Sequence, residues 1–71
     1  MITIENISEI AQVVRKARNA QKITQTELAQ LSGVGLRFVC DVERGKVSVH
    51  AGKLLAVLAS LGIAVKLDIP E

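Results

Sequence analysis

The stretch TQTELAQLSGVGLRFVCDVERG, Thr24–Gly45, contains two short helical patterns separated by Gly-Val-Gly. Thr24 and Glu27 form a T-x-x-E capping box, in which each side chain bonds the backbone N–H of the other residue. A helix therefore begins after Thr24, and we predict it over about Gln25–Leu31. The glycines that follow indicate a sharp change of chain direction.

The two glycines of this turn have different predicted roles. Gly33 can adopt the left-handed backbone conformation that ends a helix. Gly35 stands at the N-terminal cap of the next helix, a position where glycine is acceptable. We predict that second helix over about Leu36–Arg44, and Gly45 ends it.

The apolar residues of the stretch fit two helices that pack closely together. Ala29 provides a small side chain where the helices meet, and Gly33 follows four residues later in the turn. Val39 and Val42, at i and i+3, hold the second helix against the core on one side only. This combination is typical of a helix-turn-helix, whose second helix can present its opposite face to the major groove of DNA.

Two further helices flank this unit. Asn6 and Glu9 form an N-x-x-E capping pattern ahead of a helix predicted over about Ile7–Ala20. Ser48 is the predicted cap of a last helix, which Gly62 ends. The apolar face of that last helix consists of Leu54, Leu55, Val57, Leu58 and Leu61. The four helical segments together predict an all-α fold.

The C-terminal residues change to a period of two. Apolar side chains alternate there with small or charged ones, as in a β-strand, at Ile63, Val65, Leu67 and Ile69. A lone strand leaves its backbone groups unpaired, so it needs a partner. That partner is the same strand of a second copy or the segment Ile2–Ile4, and we favour an antiparallel pair across a dimer axis. The alternative to a strand is a frayed apolar tail. We therefore predict a helix-turn-helix domain at 1–62 and a dimerisation strand at 63–71.

The composition limits the possible functions. The chain has 71 residues, enough for one domain, and a domain this small without disulfides often gains stability by dimerising. Its single cysteine fits a reducing cytoplasm. No apolar run approaches the ~20 residues of a membrane span, and no signal-peptide pattern is present. The sequence contains no metal-ligand cluster, phosphate-binding glycine loop or nucleophile–base pair, so we expect no metal, cofactor or enzymatic activity.

The charges are segregated along the chain, although the net charge is only +2. Between Arg15 and Lys53, eight basic residues stand against three acidic ones. Acidic residues predominate in the segments on either side. A basic middle is typical of a local anionic partner, but a solvated charged surface has the same composition.

The motif T-Q-T-E-L-A-Q-L-S-G-V-G, followed by V-x-x-V-E-R-G, resembles the lambdoid repressor, Cro and XRE class of regulators over about Ile7–Leu61. The resemblance implies a lambda-repressor-like bundle of four to five helices that binds double-stranded operator DNA. The terminal pattern V-L-A-S-L-G-I-A-V-K-L resembles one subgroup, the HipB-like antitoxins, which end in a strand that pairs across the dimer. That second resemblance implies a homodimer that represses its own operon and binds a HipA-like kinase toxin.

The resemblance also implies roles for single residues. Gln25 matches a family glutamine that meets phosphate and base at the start of its helix, next to Thr24. The positions that read bases hold Leu36, Arg37 and Asp41. Arg37 is expected to bond a guanine twice, and Leu36 to touch a thymine methyl group. Asp41 either accepts from a cytosine amine or orients Arg37, which lies one turn earlier.

Phosphate contacts are implied around the second helix of the motif. Gly35 stands where the family often has Ser or Thr, so it offers only its backbone N–H. Arg44 and Lys46 flank the end of that helix and suit phosphate, as do Lys22 and Arg18. The family pattern further implies that Glu43 pairs with Arg15 or Arg18.

Two other functional interpretations remain open. One is a stand-alone phage or chromosomal repressor of the Cro type, without a toxin. The other is a protein-interaction module whose helix-turn-helix no longer binds DNA.

Overall fold

The computed structural model describes residues 6–67 and 69–70. Within them it contains four helices: α1 (Ile7–Ala20), α2 (Gln25–Ser32), α3 (Leu36–Glu43) and α4 (Ala51–Ser60). The prediction of an all-α helix-turn-helix fold is therefore confirmed. The predicted limits of α1 are also confirmed, and the predicted ends of α2 and α3 are each one residue off.

Side chains cap α1 and α2 as the sequence predicts. At α1, the Glu9 backbone N–H donates to Asn6 Oδ1 at 3.1 Å. At α2, the Glu27 N–H donates to Thr24 Oγ1 at 3.0 Å, and the Thr24 N–H donates to Glu27 Oε1 at 2.9 Å. The reciprocal pair satisfies two backbone donors that have no partner inside the helix, so α2 begins sharply at Gln25.

The turn between α2 and α3 is made by its first glycine. Gly33 caps the C-terminus of α2 with φ +69°, a left-handed conformation that other residues adopt only at a cost. Gly35 is the N-cap of α3 and supplies no side-chain hydrogen bond there. The predicted roles of both glycines are confirmed.

The predicted cap of α4 is wrong. His50, not Ser48, occupies the N-cap, and its Nδ1 accepts from the Lys53 backbone N–H at 3.1 Å. The helix begins at Ala51, so Ser48 lies two residues too early to reach the first unpaired N–H groups. Val49, directly before the cap, packs against the core together with Leu54, the arrangement of a hydrophobic staple.

The core is aliphatic and lies where α2 contacts both α3 and α4, and where α1 contacts α3. Its buried members come from all four helices and the residue that follows α4: Val14, Leu28, Ala29, Val39, Val42, Val57, Leu58 and Leu61. Leu55, predicted on the apolar face of α4, is instead exposed. No helix within the described residues is long and apolar enough to cross a membrane.

The C-terminal segment forms no strand in the single chain, as far as residues 63–67 and 69–70 show. Ile63 still packs against the core, whereas Leu67 and Ile69 are each 88% exposed. A strand needs a neighbour to pair its backbone groups, and residues 6–67 and 69–70 supply none within one chain. The strand across a dimer axis therefore stays a prediction, and the alternative partner at residues 2–4 lies outside the described residues.

Candidate nucleic-acid interface

A buried carboxylate fastens the end of α3 to α1 and α2. Glu43 is only 4% exposed. Arg18 donates to it twice, from Nε to Oε2 at 2.7 Å and from Nη2 to Oε1 at 3.1 Å. Gln25 Nε2 donates to Oε1 at 3.2 Å. These bonds confirm the predicted pairing of Glu43 with an arginine of α1. They also fix the orientation of α3 relative to α1 and α2.

Two further arginine contacts strengthen this junction. Arg15 Nη1 donates to the backbone carbonyl of Glu43 at 3.1 Å, at the negative end of α3. Arg18 Nη1 donates to the carbonyl of Ile23 at 2.9 Å. The hydrogen bond from Arg18 to Glu43 raises the arginine pKa, helped by charge attraction and opposed by burial. The Arg18 guanidinium is thus already bonded to groups within the domain, contrary to the predicted phosphate contact.

The first turn of α3 projects from the domain. Val39 and Val42 are buried on the inner side of the helix. Leu36 is exposed on the other side, and the Arg37 side chain is 85% exposed. The helix is therefore held along one face, and its N-terminal residues are available to a partner, as the sequence predicts.

Three cationic side chains surround Asp41 at the other end of this exposed region. Arg37 Nε lies 3.6 Å from Oδ1, Arg44 Nη2 bonds the same oxygen, and Lys46 Nζ lies 3.7 Å from Oδ2. The hydrogen bond from Arg44 lowers the pKa of Asp41, as do the charges of Lys46, Arg44 and Arg37, while burial opposes them. Three of the predicted site residues are thereby brought together around the ionised carboxylate of a fourth, Asp41.

Gln25 points into the domain, which the sequence did not indicate. Besides its bond to Glu43, its Oε1 accepts from Cys40 Sγ at 3.5 Å. The partners of its carboxamide come from α3, and no signal near Gln25 in the sequence reveals them. Thr24 is occupied in its capping box, and a Cβ added at Gly35 meets nothing within 4 Å.

The prediction from the sequence covers only part of the Asp41 cluster. Only the contact with Arg37, at i and i+4, was anticipated. Arg44 stands at i+3 from Asp41, a spacing that indicates a helical neighbour. Lys46 lies beyond the helix, and its approach depends on the turn at Gly45, where φ is +79°.

Three other side chains in or near the helix-turn-helix have structural surroundings. Phe38 is half-buried against the core, and Cys40 is half-buried. His50 is exposed and caps α4. Among residues 6–67 and 69–70, no group of three or more His, Cys, Asp or Glu side chains is placed to hold a metal ion.

Residues 14–67 match the helix-turn-helix family HTH_3. The chain is 42% identical over 67 residues to an uncharacterised HTH-type transcriptional regulator, y4mF, of Sinorhizobium fredii, which covers 94% of this chain and 88% of the relative. It is 29% identical over 62 residues to the immunity repressor protein of Bacillus phage phi105. That match covers 87% of this chain but only 43% of the phage repressor.

Solved structures with the same fold include HipB in a HipA–HipB–O2–O3 complex and HipB in a complex with an O4 20mer. Their TM-scores are 0.88 and 0.87, and each comparison covers 100% of both chains at 20% identity. At that identity the likeness concerns the fold. The match to the family and to the first relative spans most of the chain. The protein belongs to the HTH_3 helix-turn-helix family and is a transcriptional regulator of the XRE type.

Proposed function

We propose that the protein is a sequence-specific repressor that binds double-stranded operator DNA as a homodimer, with the start of α3 in the major groove. The observation that carries this proposal is the asymmetry of α3. Its inner face is buried at Val39 and Val42, while Leu36 and Arg37 are exposed at its N-terminal end. A helix held in this way enters the major groove with its first residues against base edges.

Each exposed residue of α3 has a distinct proposed task. Arg37 donates two hydrogen bonds to a guanine, because the planar guanidinium matches the O6 and N7 acceptors. Leu36 contacts a thymine methyl group through apolar surface. Arg44 and Lys46, both exposed after the end of α3, bind phosphate and supply affinity that does not depend on sequence.

The helix N-termini add contacts through the backbone. Because the carboxamide of Gln25 is engaged with Glu43 and Cys40, we propose that its backbone N–H, beside Thr24, meets a phosphate. Gly35 offers its N–H in the same way at the start of α3, without a side chain in between.

The dimer rests on the C-terminal segment. Val65, Leu67 and Ile69 are exposed apolar side chains that alternate with other residues along the segment, next to Ile63 on the core. The same segment of a second copy pairs its backbone and covers these side chains. A two-fold dimer then presents two α3 helices to half-sites about 34–36 Å apart, one turn of DNA.

Within this class, we propose that the protein is the antitoxin of a HipBA-like module, which represses its own operon and binds a HipA-like kinase in the cytoplasm. The support is the shared fold with HipB over the whole chain. A stand-alone phage or chromosomal repressor is the second candidate, and the identity to the phi105 immunity repressor favours it. No catalytic activity is proposed for either.

Binding to the DNA directly upstream of its own gene tests the repressor. The affinity is measured at two salt concentrations, against a scrambled duplex of the same length. Selective binding that weakens steeply with salt supports autoregulation, because the release of counterions from phosphates makes affinity fall with salt. Equal binding to the two duplexes contradicts it and favours a protein-interaction module.

The toxin is tested separately. The protein is co-expressed with the product of the neighbouring gene, and the complex is sought by size-exclusion chromatography. A stable complex with a kinase supports the antitoxin. If the neighbouring gene does not encode a kinase, or if the kinase elutes alone, the stand-alone repressor replaces the antitoxin as the proposed function.

A further inference from the structure

Asp41 is an acid in a surface that is otherwise suited to phosphate. Its side chain is 13% exposed and is enclosed by Arg37, Arg44 and Lys46. We infer that Asp41 is a positioning residue that directs Arg37 to the bases and leaves the other two cations to the phosphates. This inference rests on the proposed DNA-binding function and deepens it.

The distribution of contacts argues against direct base reading by Asp41. Oδ1 is shared by Arg37 and Arg44, and Oδ2 faces Lys46. A carboxylate reads cytosine by accepting from its amine, which requires an oxygen that points into the groove. Both oxygens of Asp41 are instead directed to cations of the same chain.

The contact with Arg37 uses the nitrogen that guanine needs least. Arg37 approaches Oδ1 through Nε, at 3.6 Å, so both terminal η nitrogens remain for the O6 and N7 atoms of guanine. The Arg37 side chain is otherwise exposed, and a long exposed side chain loses rotamer freedom when it binds. The ion pair between its Nε and Asp41 reduces that loss of rotamer freedom. It also sets the direction in which the two terminal nitrogens point.

The other two cations are expected to change partner when DNA binds. Arg44 and Lys46 have exposed side chains, so phosphates can compete with Asp41 for them. Once they move to phosphates, Arg37 is the remaining cation at the carboxylate. Asp41 therefore acts in two opposite ways, because its charge repels every duplex while its tether favours the duplex with the correct guanine.

Asp41→Asn separates the two effects. The dissociation constant is measured for three duplexes: an operator selected from random DNA, the same operator with the guanine pair replaced, and a scrambled sequence. We expect the variant to bind the scrambled duplex about fivefold more tightly, because one repelling charge is gone. We expect its preference for the guanine to fall by about tenfold. Glu27→Gln is the control, since it removes the same charge and keeps an oxygen for the Thr24 N–H.

Combining Asp41→Asn with Arg37→Ala shows whether Asp41 acts through Arg37. If Asp41 acts through Arg37, Asp41→Asn changes no base preference once Arg37 is absent. A preference that still changes in that background means that Asp41 reads a base itself and overturns the inference. So does an Asp41→Asn protein with unchanged selectivity, including one that binds all three duplexes equally more weakly. A wild-type protein without selectivity, in contrast, contradicts the proposed function itself.

Discussion

Arg18 and Glu43 form a nearly buried ion pair between the C-terminal half of α1 and the last residue of α3, with Nε 2.7 Å from Oε2. Twenty-five positions separate them in the sequence. The pair lies on the opposite end of α3 from Leu36, so the helix is anchored at its C-terminus and projects at its N-terminus. This anchor has consequences for stability that can be measured apart from DNA binding.

Glu43→Ala is expected to destabilise the domain by about 3–5 kcal/mol, because it leaves the mostly buried guanidinium of Arg18 without a counter-charge. Urea unfolding measures the change. The double variant Arg18→Met with Glu43→Leu is expected to recover most of the loss, since apolar side chains of similar size replace a buried pair at little cost. A loss below about 1 kcal/mol for Glu43→Ala, as in a surface pair, contradicts the anchoring role.

His50→Ala is expected to destabilise the domain by about 0.5–2 kcal/mol, because the Lys53 N–H loses the cap acceptor. His50→Asn keeps an acceptor at the cap and is expected to be close to neutral. Ser48→Ala is the matched control for the cap that the sequence suggested, and it should leave the free energy of unfolding unchanged. Thermal unfolding of the three variants compares them, and a larger effect at Ser48 than at His50 contradicts the observed start of α4.

The ion cluster at Asp41 predicts a pH dependence of stability with a definite sign. Arg44, followed by Lys46 and Arg37, lowers the pKa of Asp41 below its ordinary value of about 3.9. A lowered folded-state pKa means that the stabilisation is fully present above that ordinary value and is lost as the pH falls through the folded-state pKa.

The quantity to measure is the difference in free energy of unfolding between the wild type and Asp41→Asn. It is expected to stay constant between about pH 5 and pH 8 and to shrink below about pH 4. Urea unfolding at a series of pH values provides it. A difference that changes between pH 6 and pH 7 means that another group controls the cluster.

Ending the chain after Ala64 is expected to convert the proposed dimer into a monomer. This truncation keeps Ile63, which packs against the core, and removes the exposed apolar side chains that follow it. Replacing Val65, Leu67 and Ile69 by Ser in the full chain is the matched control for loss of length. Light scattering after size exclusion gives the mass of each protein, and a truncated protein that stays dimeric places the dimer contact elsewhere.

Much of the fold follows from local signals in the sequence. The capping box at Thr24 and the left-handed glycine at position 33 act within a few residues, so they predict α2 and the turn. The cap of α4 was missed because histidine caps helices less often than serine, and Ser48 is nearby. Val49 and Leu54, apolar residues at the two staple positions around His50, mark the correct start.

The candidate site was predictable only in part, because its contacts join distant segments. The exposure of Leu36 and Arg37 follows from the helical spacing of Val39 and Val42. The inward direction of Gln25 does not, since its partners on α3 lie 15 and 18 positions away. The pairing proposed for the C-terminal segment would involve a second chain, which no pattern within one chain can establish.

The start of α3 is proposed to read bases through Arg37. Selection of binding sites from a random duplex library, with the wild type and Arg37→Ala in parallel, tests it most directly. We expect the wild type to enrich a two-fold symmetric site with a guanine in each half, the halves centred about 10–10.5 base pairs apart. We expect Arg37→Ala to lose that guanine while its binding remains sensitive to salt. Enrichment of the same guanine by both proteins, or of no sequence by the wild type, would contradict the claim.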